Sequence, residues 1–403
     1  MNDSLAARTI DLVYFNAGGG HRAAATALET VIREQGRPWE VRLVNFMHVL
    51  DPKDIFLKTT GMNWEDIYNS RLARGWSVGL AQELKLLQAL IRLSNKSVAK
   101  KWRRHWRKTK PDMVVSVIPN FNRMMYEGLA HARPQAPYVT ILTDFADFPP
   151  HFWMEPRPTQ PRQAKHFICG TPRAVAQAHA MGYTDGEIHA TSGMIIRPDF
   201  YRESHIDRRT ELQRLGLDPG RPTGLVMFGG HGSRVMRGIA RRLDDTQLIL
   251  ICGHNAALAQ RLRAMSASAP RLVLGFTSEI RRYMQLSDFF IGKPGPGSIS
   301  EAVQQGLPVI VVRNTWTMPQ ERYNTDWVKE NHAGIVLESF KLIRDGVGQV
   351  VARLDEFRAS TSRIRNRAVF EIPDILERIM SAAQPREYRT PGRDDARGAA
   401  RLN

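Results

Sequence analysis

Along the chain, short apolar runs alternate with stretches whose apolar residues recur every three or four positions. Ile10–Asn16 is a β-rich run, followed by glycines and an Ala-rich helical stretch from Arg22 to Glu34. The same order of run, glycine turn and helix returns at Gly224–Phe228, Gly229–Ser233 and Arg234–Leu243. Further buried-strand patterns fall at Val41–Asn45, Met113–Ile118, Tyr138–Leu142, His166–Cys169, Gln247–Cys252, Leu272–Leu274, Phe289–Ile291 and Pro308–Val312. Apolar runs spaced by helices predict parallel sheets covered on both faces, an α/β architecture of two Rossmann-like domains. We place the first domain at 1–200 and the second at 201–370. A terminal helix with a disordered basic tail occupies 371–403, its last segment (Pro385–Asn403) carrying five arginines. The Pro-rich Met154–Arg162 reads as a loop and Arg197–Gly220 as the linker.

Composition narrows the class. A hydrophobic content of 42% over 403 residues is that of a globular chain too long for one ordinary core. Two cysteines, Cys169 and Cys252, argue against a disulfide framework and for a reducing compartment. The start lacks a secretory core, and no apolar run is long enough to span a bilayer. A net charge of +17 suits nucleic acid, an anionic membrane surface or phosphorylated ligands, and cannot choose among them.

The glycine turns say more. A glycine turn that opens a helix offers backbone N–H groups and a positive dipole end to an anion. Gly230, His231, Gly232 and Ser233 therefore suit a diphosphate, although many α/β turns hold glycine for steric reasons alone. Neither turn is a P-loop or a G-x-G-x-x-G fingerprint. Lys293-Pro294-Gly295-Pro296-Gly297 is a stiff turn after a strand end, and Ser298 is expected to cap the helix that follows, with Glu301 at capping-box spacing. Glu301 either completes that cap or accepts hydrogen bonds from a ribose diol. Gln320 and Asn324 are four apart, so a helix would put both amides on one face, suited to sugar hydroxyls.

The charge is concentrated. Leu84–Lys110 holds ten Lys/Arg and no Asp/Glu. Leu80, Leu84, Leu87, Ile91 and Val98 lie near helical spacing, and Trp102 and Trp106 are four apart amid Arg103, Arg104 and Arg107. That combination suits an interfacial helix on an anionic bilayer; the alternative is a solvated basic helix with its tryptophans packed inward. No nucleic-acid motif accompanies the charge, so a nucleic-acid partner is not expected.

Taken in order, Gly18–His21, Gly229–Ser233, Lys293–Ala302 and Pro319–Asn324 resemble the corresponding segments of glycosyltransferase family 28, GT-B fold. The likeness is to the branch of monogalactosyldiacylglycerol synthases and processive diacylglycerol glucosyltransferases. Thr143-Asp144, His151-Phe152-Trp153 and Gly193–Phe200 support that branch, with Met194 and Ile195 departing from its common leucine and proline. The resemblance implies a UDP-sugar donor on the second half and a lipid acceptor on the first. It would place Gly230–Ser233 on the diphosphate, Phe276 by the uracil, Glu301 on the ribose, and Gln320 with Glu321 on the hexose. Lys293, Gly295, Gly297, Ser298 and Asn324 would complete the donor side; Gly19, Gly20, His151 and Trp153 the acceptor side. His21 is a sensible base, since its ordinary pKa of about 6.5 leaves it mostly neutral and a helix start disfavours protonation; the alternative is that it only caps its helix. Asp144 would orient His21, act as base itself, or cap a turn. With no Asp-x-Asp triplet, neither metal nor cofactor is expected, and helix N-termini with Lys293 or Arg322 would meet the leaving-group charge. The expected setting is the cytoplasmic face of the cell membrane, held peripherally. The alternatives are transfer to a polyprenyl-linked or other hydrophobic acceptor, or a UDP-sugar 2-epimerase on the same fold.

Overall fold

A computed structural model describes residues 7–16, 19–52 and 80–383, with the side chains of 80–93 excepted. The expected tail and the Leu80–Ile91 part of the apolar stripe therefore lie outside the described residues and side chains.

In the first half the order is β1 (Arg8–Tyr14), α1 (Gly20–Glu34), β2 (Trp39–Asn45), α2 (Phe46–Leu50), α3 (Leu80–Thr109) and β3 (Met113–Ser116). It continues with α4 (Asn122–Ala132), β4 (Tyr138–Ile141), β5 (Lys165–Cys169), α5 (Pro172–Ala180) and β6 (Ile188–Ala190). These six strands form one parallel sheet in the order β2-β1-β3-β4-β5-β6. The second half runs α6 (Arg208–Arg214), β7 (Thr223–Met227), α7 (Val235–Arg242), β8 (Gln247–Ile251), α8 (Ala256–Arg263), β9 (Arg271–Leu274) and α9 (Ile280–Gln285). Then come β10 (Phe289–Gly292), α10 (Pro296–Gln304), β11 (Val309–Val312), α11 (Arg322–Glu330), β12 (Gly334–Leu337), α12 (Ile343–Ala352) and α13 (Leu354–Arg363). Its sheet, order β12-β11-β10-β7-β8-β9, is also parallel.

The central strands are buried at every position because helices cover both faces, which is why they read as unbroken apolar runs. In each sheet the order reverses direction at one point, between β1 and β3 and between β7 and β10. Such a switch leaves a crevice at the strands' C-terminal ends, where ligands of doubly wound sheets sit. Of the short, half-buried edge strands, β6 (Ile188-His189-Ala190) shows no apolar run, whereas β12 (Gly334-Ile335-Val336-Leu337) is one and was not anticipated.

The last helix, α14 (Ala368–Ala383), does not stand apart. It returns to the first half, where Ile372, Ile375, Leu376 and Ile379 share one core with Leu28, Val31 and Ile32 of α1. Asn366, just before it, donates to the Met194 carbonyl at 2.9 Å.

The basic stretch is a helix, but its tryptophans do not face a bilayer. Trp102 and Trp106 are both 0% exposed, their rings 4.7 Å apart in a core with Phe46, Met125 and Tyr138. The reason is the close approach of α3 to α4, where Gly128 leaves room: a Cβ there would lie 3.0 Å from the Trp102 Cβ. Trp106 also serves a polar need, its indole Nε1 donating at 3.1 Å to Asp11, a fully buried carboxylate that Arg42 holds at 2.7 Å. Arg103 is half-buried and Arg104 exposed. Trp102 and Trp106 are thus structural, and their burial rules out the insertion into a membrane that the sequence suggested.

Trp106→Phe keeps an aromatic side chain, reduces the indole to a phenyl ring and deletes the donor. It should lower stability by about 1–3 kcal/mol, the cost of a lost hydrogen bond to a buried charged group, while leaving vesicle binding unchanged. Denaturant unfolding and vesicle co-sedimentation check this; undiminished stability with lost vesicle binding would restore the membrane reading.

Candidate active site

On the second sheet, the turn after β7 and the turn after β10 flank the switch point. Gly229 and Gly232 adopt positive φ (71° and 60°), which folds the first turn tightly ahead of α7. Gly253, after β8, packs against it so closely that a Cβ would fall 2.1 Å from the Gly230 carbonyl oxygen. His254 N–H donates to that same carbonyl at 2.8 Å. The Ser233 hydroxyl accepts from the Val235 N–H at 3.3 Å, which leaves its own proton to donate outward. Beside this turn, Phe276 is 64% exposed yet stacked on His254, centroids 4.2 Å apart and planes 16° from parallel; His231 lies 6.2 Å from His254. An exposed aromatic face held flat by a second ring is a platform for a planar base.

The turn after β10 departs from expectation. Helix α10 starts at Pro296 with Gly295 as its N-cap and no side-chain cap, so Ser298 caps nothing. Glu301 is consequently in the second turn, and the capping-box alternative is removed. Burial raises the Glu301 carboxyl to about 7, against the pull of Arg197. Gly295 is buried, a Cβ there meeting Lys293 Cε at 3.4 Å, whereas Gly297 is exposed with nothing near. Lys293 Nζ donates to the buried Glu321 at 2.8 Å.

Gln320 and Asn324 do not share a helical face toward a ligand. Gln320 sits in a 3-10 turn, Pro319–Glu321, half-buried, its amide 3.6 Å from the Met318 sulfur. Asn324, in α11, is fully buried and donates at 2.8 Å to the Pro294 carbonyl. It ties α11 to the glycine-proline turn, so its amide N–H is structural and not open to a sugar. Arg322 likewise faces away from the turn, lining a separate cavity with Arg313 and Lys329.

On the first sheet, α1 opens at Gly20 with Gly19 as an N-cap at φ 78°, both glycines exposed. His21 follows, its Nδ1 3.1 Å from the Thr143 hydroxyl. Asp144 therefore does not orient it; Thr143 does. Burial lowers the imidazole to about 4, opposed by a backbone hydrogen bond with Val117. Dehydration is the main cause. Asp144 is buried and accepts from the Trp153 indole Nε1 at 2.9 Å. Burial raises its carboxyl to about 7, with Trp153 and Lys293 lowering it and Glu321 and Asp147 raising it. Trp153, also buried, lies 6.2 Å ring to ring from His21. It is a wall of this site and not a membrane anchor. His151, half-buried at φ 66°, is held by its N–H to Asp147 at 3.1 Å.

The two halves meet here. Phe145 stacks on Trp327 of α11 at 4.5 Å, and Arg173 lies over Tyr323 at 5.8 Å. Asp144 thus feels the charges of Lys293 and Glu321 across the crevice. Thr143 and Arg197 lie in segments that supported the family resemblance but were given no role there, and Gly253 and His254 were not singled out from the sequence.

Asp144 gives a testable sign. A folded pKa of about 7 against an ordinary 3.8 means stability from this group is present below pH 3.8 and lost as pH rises through about 7. Asp144→Asn should gain stability relative to wild type on going from pH 4.5 to 7.5, read from thermal unfolding midpoints. A difference that stays constant with pH would mean an ordinary carboxyl.

Known proteins supply the context. Residues 225–379 match the Glycosyltransferase family 28 C-terminal domain. The chain is 28% identical over 356 residues to a probable monogalactosyldiacylglycerol synthase 2, chloroplastic, of Oryza sativa subsp. japonica, covering 82% of this chain and 71% of that protein. It is 28% identical to the monogalactosyldiacylglycerol synthase of Spinacia oleracea, covering 83% of this chain and 64% of that one. Among solved structures, the calicheamicin glycosyltransferase CalG4 superposes with a TM-score of 0.60 at 14% identity, covering 94% and 99% of the two chains. Acinetobacter baumannii MurG gives 0.58 at 12% identity, covering 92% and 99%. The structural likenesses show the fold, which is GT-B. The second half of the chain carries a glycosyltransferase family 28 C-terminal domain, and the protein is an enzyme that transfers a sugar.

Proposed function

We propose that the enzyme moves a hexose, galactose or glucose, from a UDP-sugar to a lipid hydroxyl, diacylglycerol being the acceptor, with inversion and at a membrane surface. The observation that carries this is the position of Asp144 and His21 on one wall of the crevice, opposite Lys293 and Glu321 on the other. The named relatives add the acceptor class, being synthases of a galactosylated diacylglycerol.

In this reading uracil stacks on Phe276, the ribose bonds to Glu301, and the diphosphate takes backbone N–H groups of Gly230–Ser233 at the start of α7. Lys293 and Glu321, with Gln320, hold the hexose. The acceptor hydroxyl oxygen attacks the anomeric carbon, the bond to the diphosphate oxygen breaks, and UDP departs with the electron pair. The hydroxyl proton passes to His21, which is neutral at physiological pH because its pKa is depressed to about 4. A second reading gives the proton to Asp144, favoured by a pKa of about 7 that matches the working pH. Leaving-group charge is met by the helix N-terminus and Lys293, so transfer should persist in excess chelator. Among the described residues no three His, Cys, Asp or Glu side chains group closely enough to hold a metal ion. Among them, too, no helix is long and apolar enough to cross a membrane, so contact with lipid would be peripheral.

Purified protein incubated with labelled UDP-galactose or UDP-glucose and diacylglycerol should yield labelled glycolipid. His21→Ala should cut turnover by roughly two to four orders of magnitude, the usual worth of a general base, with UDP affinity retained by calorimetry. Undiminished turnover would pass the role to Asp144; absence of any labelled lipid from wild type would sink the acceptor assignment.

A further inference from the structure

Away from the crevice, a cavity of about 450 Å³ lies between the ends of β11 and β12 and the outer side of α11. Its walls include Arg313, Asn314, Thr315, Arg322, Lys329 and Glu338. Three cations thus face one lining carboxylate. Arg313 is paired with Asp326, but the described residues supply no ion-pair partner for Arg322 or Lys329. The Arg322 Nε is fully buried and has no acceptor. An excess of cations over carboxylates around one cavity is what a bound anion would offset.

We propose that this cavity is a phosphate-binding pocket that steadies the loop carrying Gln320 and Glu321. The chemistry is specific: guanidinium forks and an ammonium converge on a space wide enough for a phosphate group, free or borne by a lipid headgroup. The coupling follows from α11. Arg322, Asp326 and Lys329 occupy one stripe of the helix at i, i+4 and i+7. Asn324 and Val328 lie on the other, buried side, with Asn324 bonded to Pro294. The segment 313–321 forms a wall of the pocket at one end and presents Glu321 to Lys293 at the other. Trp316, in the same segment, is 54% exposed, its N–H held by the Asn314 side chain. An exposed tryptophan beside a phosphate pocket would suit a bilayer surface. The ligand of the pocket is independent of the proposed transfer; its effect on hexose binding rests on that reading.

The test uses inorganic phosphate titrated calorimetrically into the full chain saturated with UDP, so that the crevice is already filled. Saturable binding is expected. Lys329→Gln, which breaks no ion pair, should weaken it several-fold, and Arg313→Gln/Lys329→Gln roughly tenfold or more, with UDP affinity unchanged. No saturable phosphate binding by wild type, or equal affinity in both variants, overturns the proposal. Vesicles of phosphatidylcholine with and without phosphatidylglycerol identify the source. If the double variant and Trp316→Ala both lose binding to the anionic vesicles, the pocket takes a headgroup; if vesicle binding is unaffected while phosphate binding falls, it takes free phosphate. Should UDP itself fail to bind wild type, the donor reading falls, and the phosphate titration without UDP still decides the pocket.

Discussion

The site depends on a carboxylate kept from water. Asp144 is buried at the end of β4, answered by one indole N–H and by the fields of a lysine and a glutamate from the other half of the chain. A lone buried carboxylate is costly, and its charge is tolerated only where a donor or a cation offsets dehydration. Trp153 supplies the donor and Lys293 the cation, but Lys293 is itself paired with Glu321. The balance leaves Asp144 about half protonated at physiological pH, with a proton that a small electrostatic change can move. Everything that holds the two halves at this distance, including the Phe145–Trp327 stack, sets that balance.

The first half carries a second buried carboxylate, and it is resolved differently. Asp11 sits under α3 with Arg42, Trp106 and Thr109 as partners. Dehydration raises its pKa, and Arg42 opposes that rise most strongly. Here the ring of donors belongs to one domain and locks α3 onto the sheet. The contrast separates structure from chemistry: one carboxylate is saturated with partners, the other is left short of them and faces a crevice.

The alternation of apolar runs and helices made the two parallel sheets legible, and the repeated run, glycine turn and helix marked both strand openings. The edge strand β6 escaped because its three residues of mixed polarity carry no apolar run; β12, a Gly-Ile-Val-Leu run, was legible and went unread. In the site, Phe276 and the Lys293–Glu321 region were visible as motifs. Their partners were not, since His254 and Gly253 act only once β8 lies beside β7. The tryptophans of α3 misled for a related reason. Cations and aromatics at helical spacing describe an interfacial helix and a packed one equally well, and only the small residue at Gly128 on a different helix decides between them.

Asp144 senses Lys293 across the crevice, and that coupling can be measured directly. Carbon-detected NMR of the labelled aspartate carboxyls would follow the titration of Asp144, assigned through Asp144→Asn, in wild type and in Lys293→Met. Removing the cation also leaves the Glu321 charge unpaired, so both changes push Asp144 the same way. The midpoint should move upward from about 7. A midpoint that does not move would mean that the two walls do not share one electrostatic site.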